Sequence, residues 1–390
     1  MRICLITYEY PPDTAIGGIG TYMYQLSTSF AKKGIETEVI CASPDQEGVF
    51  SESPYLSITK IRCNSTEEFR ELAPATAKKL HDVKKIDIIE CPEFGAPSLH
   101  LKNVLPEVPV IIKLHTPRFL IKELNDHYYN KVWWRRLKRR MGFTYHYKKD
   151  NEYLATLQAD HILSPSVSLK EIIQERWKIE PEKISLVPNP YFPSKELLTI
   201  SPGSDTKSIL YIGRLETRKG VYNLARAIPL VVKKIPDARF VFLGRDSIGP
   251  CREQSMKNLI INEAGNAVTN ISFVDHVPLT SVPGFLAQAH CCVFPSTWEN
   301  FPGVCLEAMA AARNIIASKN GGMADMLQST GNHQLIDPFD VSSIAEKLIN
   351  TLEQPQDLTT VLKNRKKILN EYGDKIIEST LDVYKSFIKK

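Results

Sequence analysis

The chain has 390 residues, 43% hydrophobic and 24% charged, with 49 basic against 44 acidic side chains and a formal net charge of +5. That length suggests two domains, and the balance is that of an ordinary globular chain, which excludes a disordered or collagen-like protein. No apolar run approaches the about 18 residues of a membrane-spanning helix and no secretory leader pattern opens the sequence, so a cytoplasmic protein is expected.

Eight cysteines are scattered without C-x-x-C spacing. Cys4, Cys41, Cys91, Cys291 and Cys292 lie in or beside strand-like runs and read as reduced, buried, small hydrophobes. His and Cys never cluster at ligand spacing, so no metal site is expected.

Arg2 to Tyr8 reads as the first strand. It leads into a loop, Glu9 to Gly20, and then a helix from Thr21 to Lys33 with Tyr22, Leu26 and Phe30 spaced by four. Gly17, Gly18 and Gly20 let backbone approach a ligand closely at that helix start. The spacing is G-G-x-G, not the dinucleotide G-x-G-x-x-G, and the next strand, Glu38 to Ala42, ends in Ser43-Pro44 with no acid at its tip. Asp45 stands nearby, so the spacing alone leaves the distinction open.

Ile86 to Cys91 and Val108 to Leu114 read as further strands, ending in Pro92-Glu93-Phe94-Gly95 and His115-Thr116-Pro117-Arg118. Their strand-end positions make Glu93, His115 and Arg118 candidates for a ligand cleft. Residues 131–149 then carry eight basic side chains and no acid, interleaved with Trp133 and Trp134. The stretch suits an anionic membrane surface or an anionic acceptor, and equally a solvated basic helix whose tryptophans turn inward. No nucleic-acid-binding motif accompanies it, so nucleic acid is not expected. Ala159 to Ser166 looks like the last strand of the first half. Ile184 to Pro190 leads into a polar linker at about 193–207.

The βα alternation then restarts. Ser208 to Gly213 is a strand, Arg214 to Gly220 its terminal loop, and a helix follows from Val221. Arg214 and Lys219 share one loop, so both can reach one phosphate, although free surface charges would look the same. Arg239 to Gly244 and Asn270 to Val274 are further strands. Ala289 to Phe294 is a short buried strand. After it come Pro295 and a polar loop closed by Pro302-Gly303, then a helix pattern from Leu306. Backbone N–H groups near Gly303 and Val304 can hold a diphosphate. Glu299 and Glu307 frame the loop, and each carboxylate can accept hydrogen bonds from a sugar hydroxyl. A helical spacing of eight would put them roughly 80° apart, but the loop decouples them. Taken alone they also fit a solvated loop acid and a first-turn helix glutamate. Asn314 to Ser318, a Gly321-Gly322 turn and helical runs at Ile344–Leu352 and 362–390 complete the chain. The whole reads as α/β, in two βα halves of similar size.

The stretch E-N-F-P-G-V-C-L-E-A-M-A, residues 299–310, resembles the E-x7-E signature of retaining GT-B glycosyltransferases of family 4. G-R-L-x-x-x-K-G at 213–220, Leu114-His115, and the glycines after Pro11-Pro12 resemble that family's other motifs, in the same order and over nearly the whole chain. The resemblance implies two Rossmann-like domains with parallel sheets facing across a cleft. Residues 1–200 would bind the acceptor, 201–371 the nucleotide sugar, and a final helix at about 372–390 would return to the first domain. It implies that Glu299 contacts the donor sugar, Glu307 the ribose, and Arg214 and Lys219 the diphosphate. His115 would border the reacting sugar, Gly244 and Val274 the base, Gly17, Gly18, Gly303 and Val304 the donor, and Glu93 and Arg118 the acceptor.

The expected donor is a UDP- or GDP-sugar and the acceptor a saccharide or lipid-linked hydroxyl, reacting with retention. No cofactor is expected, and no metal ion, since the sequence has no D-x-D. An enzyme of this kind would work in the cytoplasm, as a peripheral protein at the inner membrane face if 131–149 meets lipid. This chain has Pro302 where many members have Gly, P-N-P at 188–190 for P-N-G, and Asp275 where Gly is frequent, which leaves the base open. A sugar-nucleotide 2-epimerase of the same fold and a non-catalytic sugar-nucleotide binder remain as alternatives. An NAD-dependent dehydrogenase is disfavoured by the glycine spacing.

Overall fold

The computed structural model describes residues 1–14, 17–126, 145–204, 206–249, 254–328, 335–355 and 357–388. The chain divides into two compact units. The first holds Met1–Phe119, Tyr145–Phe192 and Glu371–Lys390; the second holds Pro193–Asn370 and the segment that starts at Leu120. The boundary therefore falls at Phe192–Pro193 rather than near residue 200. Most of the basic stretch 131–149 lies outside the described residues; Lys148 and Lys149, in a 3-10 turn, are exposed.

The first unit is built on an eight-stranded sheet: β1 (Arg2–Thr7), β2 (Glu36–Ser43), β3 (Gly48–Ser53), β4 (Leu56–Arg62), β5 (Ile88–Pro92), β6 (Val110–Lys113), β7 (His161–Ser164) and β8 (Ile184–Leu186). The order is β3-β4-β2-β1-β5-β6-β7-β8, and only the β3–β4 pair is antiparallel. Two features differ from the sequence reading. β8, not the run ending at Ser166, is the last strand, and three residues are too few for a periodic signal. The β3–β4 hairpin went unread because β3 is an exposed edge whose side chains do not alternate cleanly.

The second unit carries six parallel strands: β9 (Ser208–Ile212), β10 (Arg239–Leu243), β11 (Ile271–Val274), β12 (Cys291–Phe294), β13 (Asn314–Ser318) and β14 (Leu335–Ile336), in the order β11-β10-β9-β12-β13-β14. In both sheets the order reverses beside the first strand of the unit. Crevices outside the carboxyl ends of strands open at such reversals. The loops there are those that follow β1 and β5 in the first unit, and 213–220 and 295–302 in the second.

Each sheet is covered by helices whose apolar faces are set by sequence period. In the first unit, helix Gly18–Lys32 buries Tyr22, Met23, Leu26 and Phe30 against Ile3, Leu5 and Val39. The final helix, Asp374–Phe387, adds Ile376, Ile377, Leu381 and Tyr384 to that same core. Gly373 separates it from helix Leu358–Glu371, which the sequence reading had run together with it. In the second unit, helix Val221–Lys234 packs Val221, Leu224, Ala225, Ile228 and Val231 on Tyr211, Phe240 and Val293.

The segment expected as a polar linker is held to the second unit. It contains a short helix, Lys195–Thr199. The fully buried Arg313 guanidinium donates to the carbonyls of Ser201 and Gly203, and Arg365 donates to that of Ile200. The seven cysteines among the described residues are buried and unbridged.

Candidate active site

In the second unit three strand-end loops are clipped together through backbone. Gly220, φ +72, ends the 3-10 turn Thr217–Lys219, and a Cβ there would lie 1.8 Å from the Pro295 carbonyl oxygen. Thr297 donates both its N–H and its hydroxyl to the Arg218 carbonyl, at 2.8 and 3.0 Å. A Cβ on Gly321, φ +86, would lie 2.1 Å from the Glu299 carbonyl oxygen, which accepts from Gly322 N–H. Asn320 adds a side-chain donor to the Thr297 carbonyl. Only glycine allows these approaches.

The clipped loops carry a chain of alternating charges. Arg214 Nε lies 2.8 Å from Glu216, Arg218 Nε 2.9 Å from the other Glu216 oxygen, Arg218 Nη1 3.0 Å from Glu299 Oε1, and Lys219 Nζ 2.5 Å from that same atom. Three cations face two carboxylates, which leaves one net positive charge. Burial pushes the Glu299 carboxyl up, but Lys219 and Arg218 outweigh it and hold the group below its ordinary value. Burial pulls the Lys219 ammonium down, with Glu299 opposing. Arg214 is the outermost, with its side chain 63% exposed.

Beyond Glu299 the chain turns into helix Gly303–Ala310, which starts a turn earlier than the sequence pattern suggested, with Pro302 as N-cap and no side chain capping it. A Cβ on Gly303 would meet nothing within 4 Å. Glu307, half-buried on this helix, has its carboxyl pushed up to about 7 by burial. Gly244, at the β10 tip, donates its N–H to the Val274 carbonyl, and a Cβ on it would strike the Gly213 carbonyl at 2.2 Å.

In the first unit, His115 follows β6 and is 8% exposed. Its backbone N–H donates to both oxygens of Glu93, at 2.9 and 2.8 Å. Nδ1 lies 3.1 Å from the Lys113 carbonyl, which fits the tautomer protonated there, and the ring meets Tyr22 edge-on. Tyr22 in turn donates to Glu90, as does Tyr384 from the final helix. Glu90 is fully buried, and burial raises its carboxyl above the ordinary value. Beneath Tyr22, Lys113 Nζ donates to the Val187 carbonyl, and burial pulls it down to about 7. Gly17 is the N-cap of its helix. The Glu9 carboxylate stands beside it, accepting from Gly20 N–H at 3.4 Å, while a Cβ on Gly18 would meet nothing.

A Glycosyltransferase Family 4 model matches residues 16–194 and a model described as glycosyl transferases group 1 matches 206–354. The chain belongs to the glycosyltransferases of this family. The transferase is 24% identical over 419 residues to an uncharacterized glycosyltransferase, MJ1607, of Methanocaldococcus jannaschii, covering 99% of this chain and 98% of the relative. Among solved structures it resembles sucrose-phosphate synthase from Thermosynechococcus elongatus, with TM-score 0.72, 20% identity and 99% and 98% of the two chains covered. It also resembles Anabaena HepE in complex with UDP and glucose, with TM-score 0.68, 14% identity and 99% and 100% covered. The fold is GT-B.

Among the residues predicted from sequence, Arg214, Lys219 and Glu299 lie on neighbouring strand-end loops of one unit, and Gly303, Val304 and Glu307 on the helix that follows the Glu299 loop. His115, Glu93, Arg118, Gly17 and Gly18 lie in the other unit. Glu93 is placed otherwise than a group touching an acceptor: it is 0% exposed, and its carboxylate holds the His115 backbone. Arg118 lies over the Phe94 ring and donates to Glu67 and Thr66. Arg118 holds the Glu67 carboxyl down at about 2.

Several residues of these networks were not singled out from sequence, Arg218, Glu216 and Glu152 among them. Arg218 and Glu216 link the expected cations to Glu299, and the R-K pair at 218–219 was the available signal. Glu152 accepts N–H groups from Gly95 and Arg118, tying the loops after β5 and β6, with burial pushing its carboxyl up to about 8. Nothing in its sequence context marks it. Among the described residues, no group of three or more His, Cys, Asp or Glu is arranged to hold a metal ion, and no helix is long and apolar enough to cross a membrane.

Proposed function

We propose that this transferase moves a hexosyl group from a nucleoside-diphosphate sugar, UDP- or GDP-linked, to a hydroxyl of a saccharide or lipid-linked acceptor, with retention and without a metal ion. The observation that carries the reading is the charge chain ending in Lys219 and Glu299, beside an uncapped helix N-terminus with an open Gly303. Three cations against two acids leave a site electrically incomplete until an anion arrives.

The diphosphate would be held by Arg214, Lys219 and the N–H groups of Gly303 and Val304. As the bond from the anomeric carbon to the leaving oxygen lengthens, negative charge grows on the diphosphate, and these fixed donors stabilise it without reorganising. Glu307 would accept from the ribose hydroxyls and Glu299 from the donor sugar. The acceptor hydroxyl would attack from the face the diphosphate leaves, its proton passing to a leaving-phosphate oxygen. His115 would border the reacting sugar, and Gly244 and Val274 would flank the base. The printed title of the HepE structure, with UDP and glucose, supports trying UDP-sugars first.

Thermal shift against UDP, GDP, ADP, CMP and NAD, with and without EDTA, tests the donor site. A ligand at about 100 times its dissociation constant adds roughly 2.7 kcal/mol. The expected outcome is a shift with one nucleoside diphosphate that EDTA leaves unchanged. A shift with NAD alone refutes the reading, and free epimer in place of a glycoside product would turn it towards an epimerase. Proton NMR of the anomeric signal reads retention directly. Flotation with vesicles of anionic lipid tests the cytoplasmic-face role of 131–149.

A further inference from the structure

The first unit contains a cavity of about 570 Å³ that none of the proposed donor or acceptor residues lines. It lies between the outer face of helix Gly18–Lys32, the β3–β4 hairpin and the Tyr10-Pro11-Pro12 turn after β1. That volume is in the range of small-molecule sites.

The wall has a definite chemistry. Leu56 and Ile58, each 4% exposed, form an apolar floor. Tyr24 and Tyr55 stand over it 49% and 46% exposed, so the faces of both rings are open to a ligand. Tyr10 meets Tyr24 at a tilt, with centroids 6.1 Å apart, and its own hydroxyl is bound to Ser27. Every aromatic ring in the wall carries a hydroxyl, and Thr28 and Ser53 add two more. Lys32 and Glu52 line the same cavity, so its formal charge is nil.

An anionic ligand such as a nucleotide or phosphate would meet a carboxylate as well as an ammonium, with no net positive charge to draw it in. A hydrocarbon chain would desolvate the Tyr24 and Tyr55 hydroxyls and both charged groups while offering them no hydrogen bond, which costs energy. A pyranose has what the wall asks for: an apolar face of C–H groups to lie on a tyrosine ring, and a rim of hydroxyls that both donate and accept. We propose that this cavity binds a neutral saccharide chain. It goes beyond the catalytic reading, which enters only through the nucleotide used as a folding control. In a transferase acting on glycans, the site would grip a chain away from its reacting end and raise the local concentration of acceptor.

The test uses the full chain, saturated with UDP, and a panel of maltotetraose, cellotetraose and mannotetraose at millimolar concentration, read by saturation-transfer NMR and calorimetry. At least one tetrasaccharide is expected to bind saturably. Tyr24→Ala and Tyr55→Ala should each weaken it about tenfold through loss of the stacking face. Tyr55→Phe, which keeps that face, should retain most of the affinity. UDP affinity, measured in the same samples, should be unchanged in all variants, which separates this site from the donor site and reports that the variants are folded. No binding by any of the three sugars, binding indifferent to both alanine variants, or saturable binding of farnesyl phosphate in their place would each overturn the proposal.

Discussion

Lys219 Nζ lies 2.5 Å from Glu299 Oε1, and the same oxygen also receives Arg218 at 3.0 Å. Glu299 therefore keeps an ion-pair partner if Lys219 is removed. Lys219→Ala should leave the fold intact and lower kcat by about 100-fold, the loss typical of one donor to developing transition-state charge. UDP affinity should fall by much less. Initial-rate kinetics beside calorimetry check this, and unchanged turnover would remove Lys219 from the mechanism.

Two glycines of the same site make opposite predictions. Gly220 is required by the protein itself, through its left-handed backbone and the Pro295 carbonyl. Gly220→Ala should destabilise by at least about 1–3 kcal/mol. For a unit of this size that lowers the melting point by several degrees, at roughly 2–4 °C per kcal/mol. Gly303 meets no such obstacle. Gly303→Ala should melt where the parent does, yet bind nucleoside diphosphate at least about tenfold more weakly, because the added methyl takes ligand space. Equal UDP affinity would show that the helix N-terminus does not hold the diphosphate.

Nucleotide affinity should depend on pH through Glu307. In the free protein, burial holds its carboxyl up at about 7 against a usual 4.5. A ribose donating hydrogen bonds favours the ionised form, so the complex holds fewer protons than the free protein. Binding then strengthens as pH rises towards 7, by up to about tenfold per unit, and levels off above it. Calorimetric titrations across that range should show the slope, and Glu307→Gln should abolish it. A parent slope that survives in the variant belongs to another group.

Glu90 and Tyr384 predict how the final helix stabilises the first unit. Tyr384→Phe removes one of two hydroxyl donors to a fully buried carboxyl, a loss of about 1–3 kcal/mol. Glu90 is raised in the folded state, so the stability it contributes is present at low pH and declines as pH rises. Without Tyr384 the ionised form loses support and that decline steepens. Urea unfolding should show a small deficit near about pH 4 and a larger one near about pH 7. A deficit independent of pH would mean that the hydroxyl serves packing alone.

The strands were legible because buried parallel strands write themselves as short apolar runs. Ile3 to Ile6 and Cys291 to Phe294 are nearly inaccessible in the folded chain, and both stood out. The loops that terminate them were legible too, because charge, glycine and proline gather there. What stayed hidden was pairing across distance. Arg218 and Glu299 are separated by 81 residues and Tyr384 and Glu90 by 294, and no local pattern links them. Glu93 was read as a ligand contact from its strand-end position, which fixes where a residue sits but not which way its side chain turns. β8 and the exposed β3 fell below the signal that periodicity needs.

The backbone clips through Gly220, Thr297 and Gly321 have an evolutionary consequence. Three loops that touch through main-chain atoms cannot change length one at a time, since inserting a residue in any of them would displace a carbonyl on which another rests. Diversification of donor preference in this scaffold is thereby channelled into side-chain replacement at fixed positions. A chimaera intended to import another enzyme's sugar choice would have to carry 213–220, 295–302 and 319–322 as one cassette.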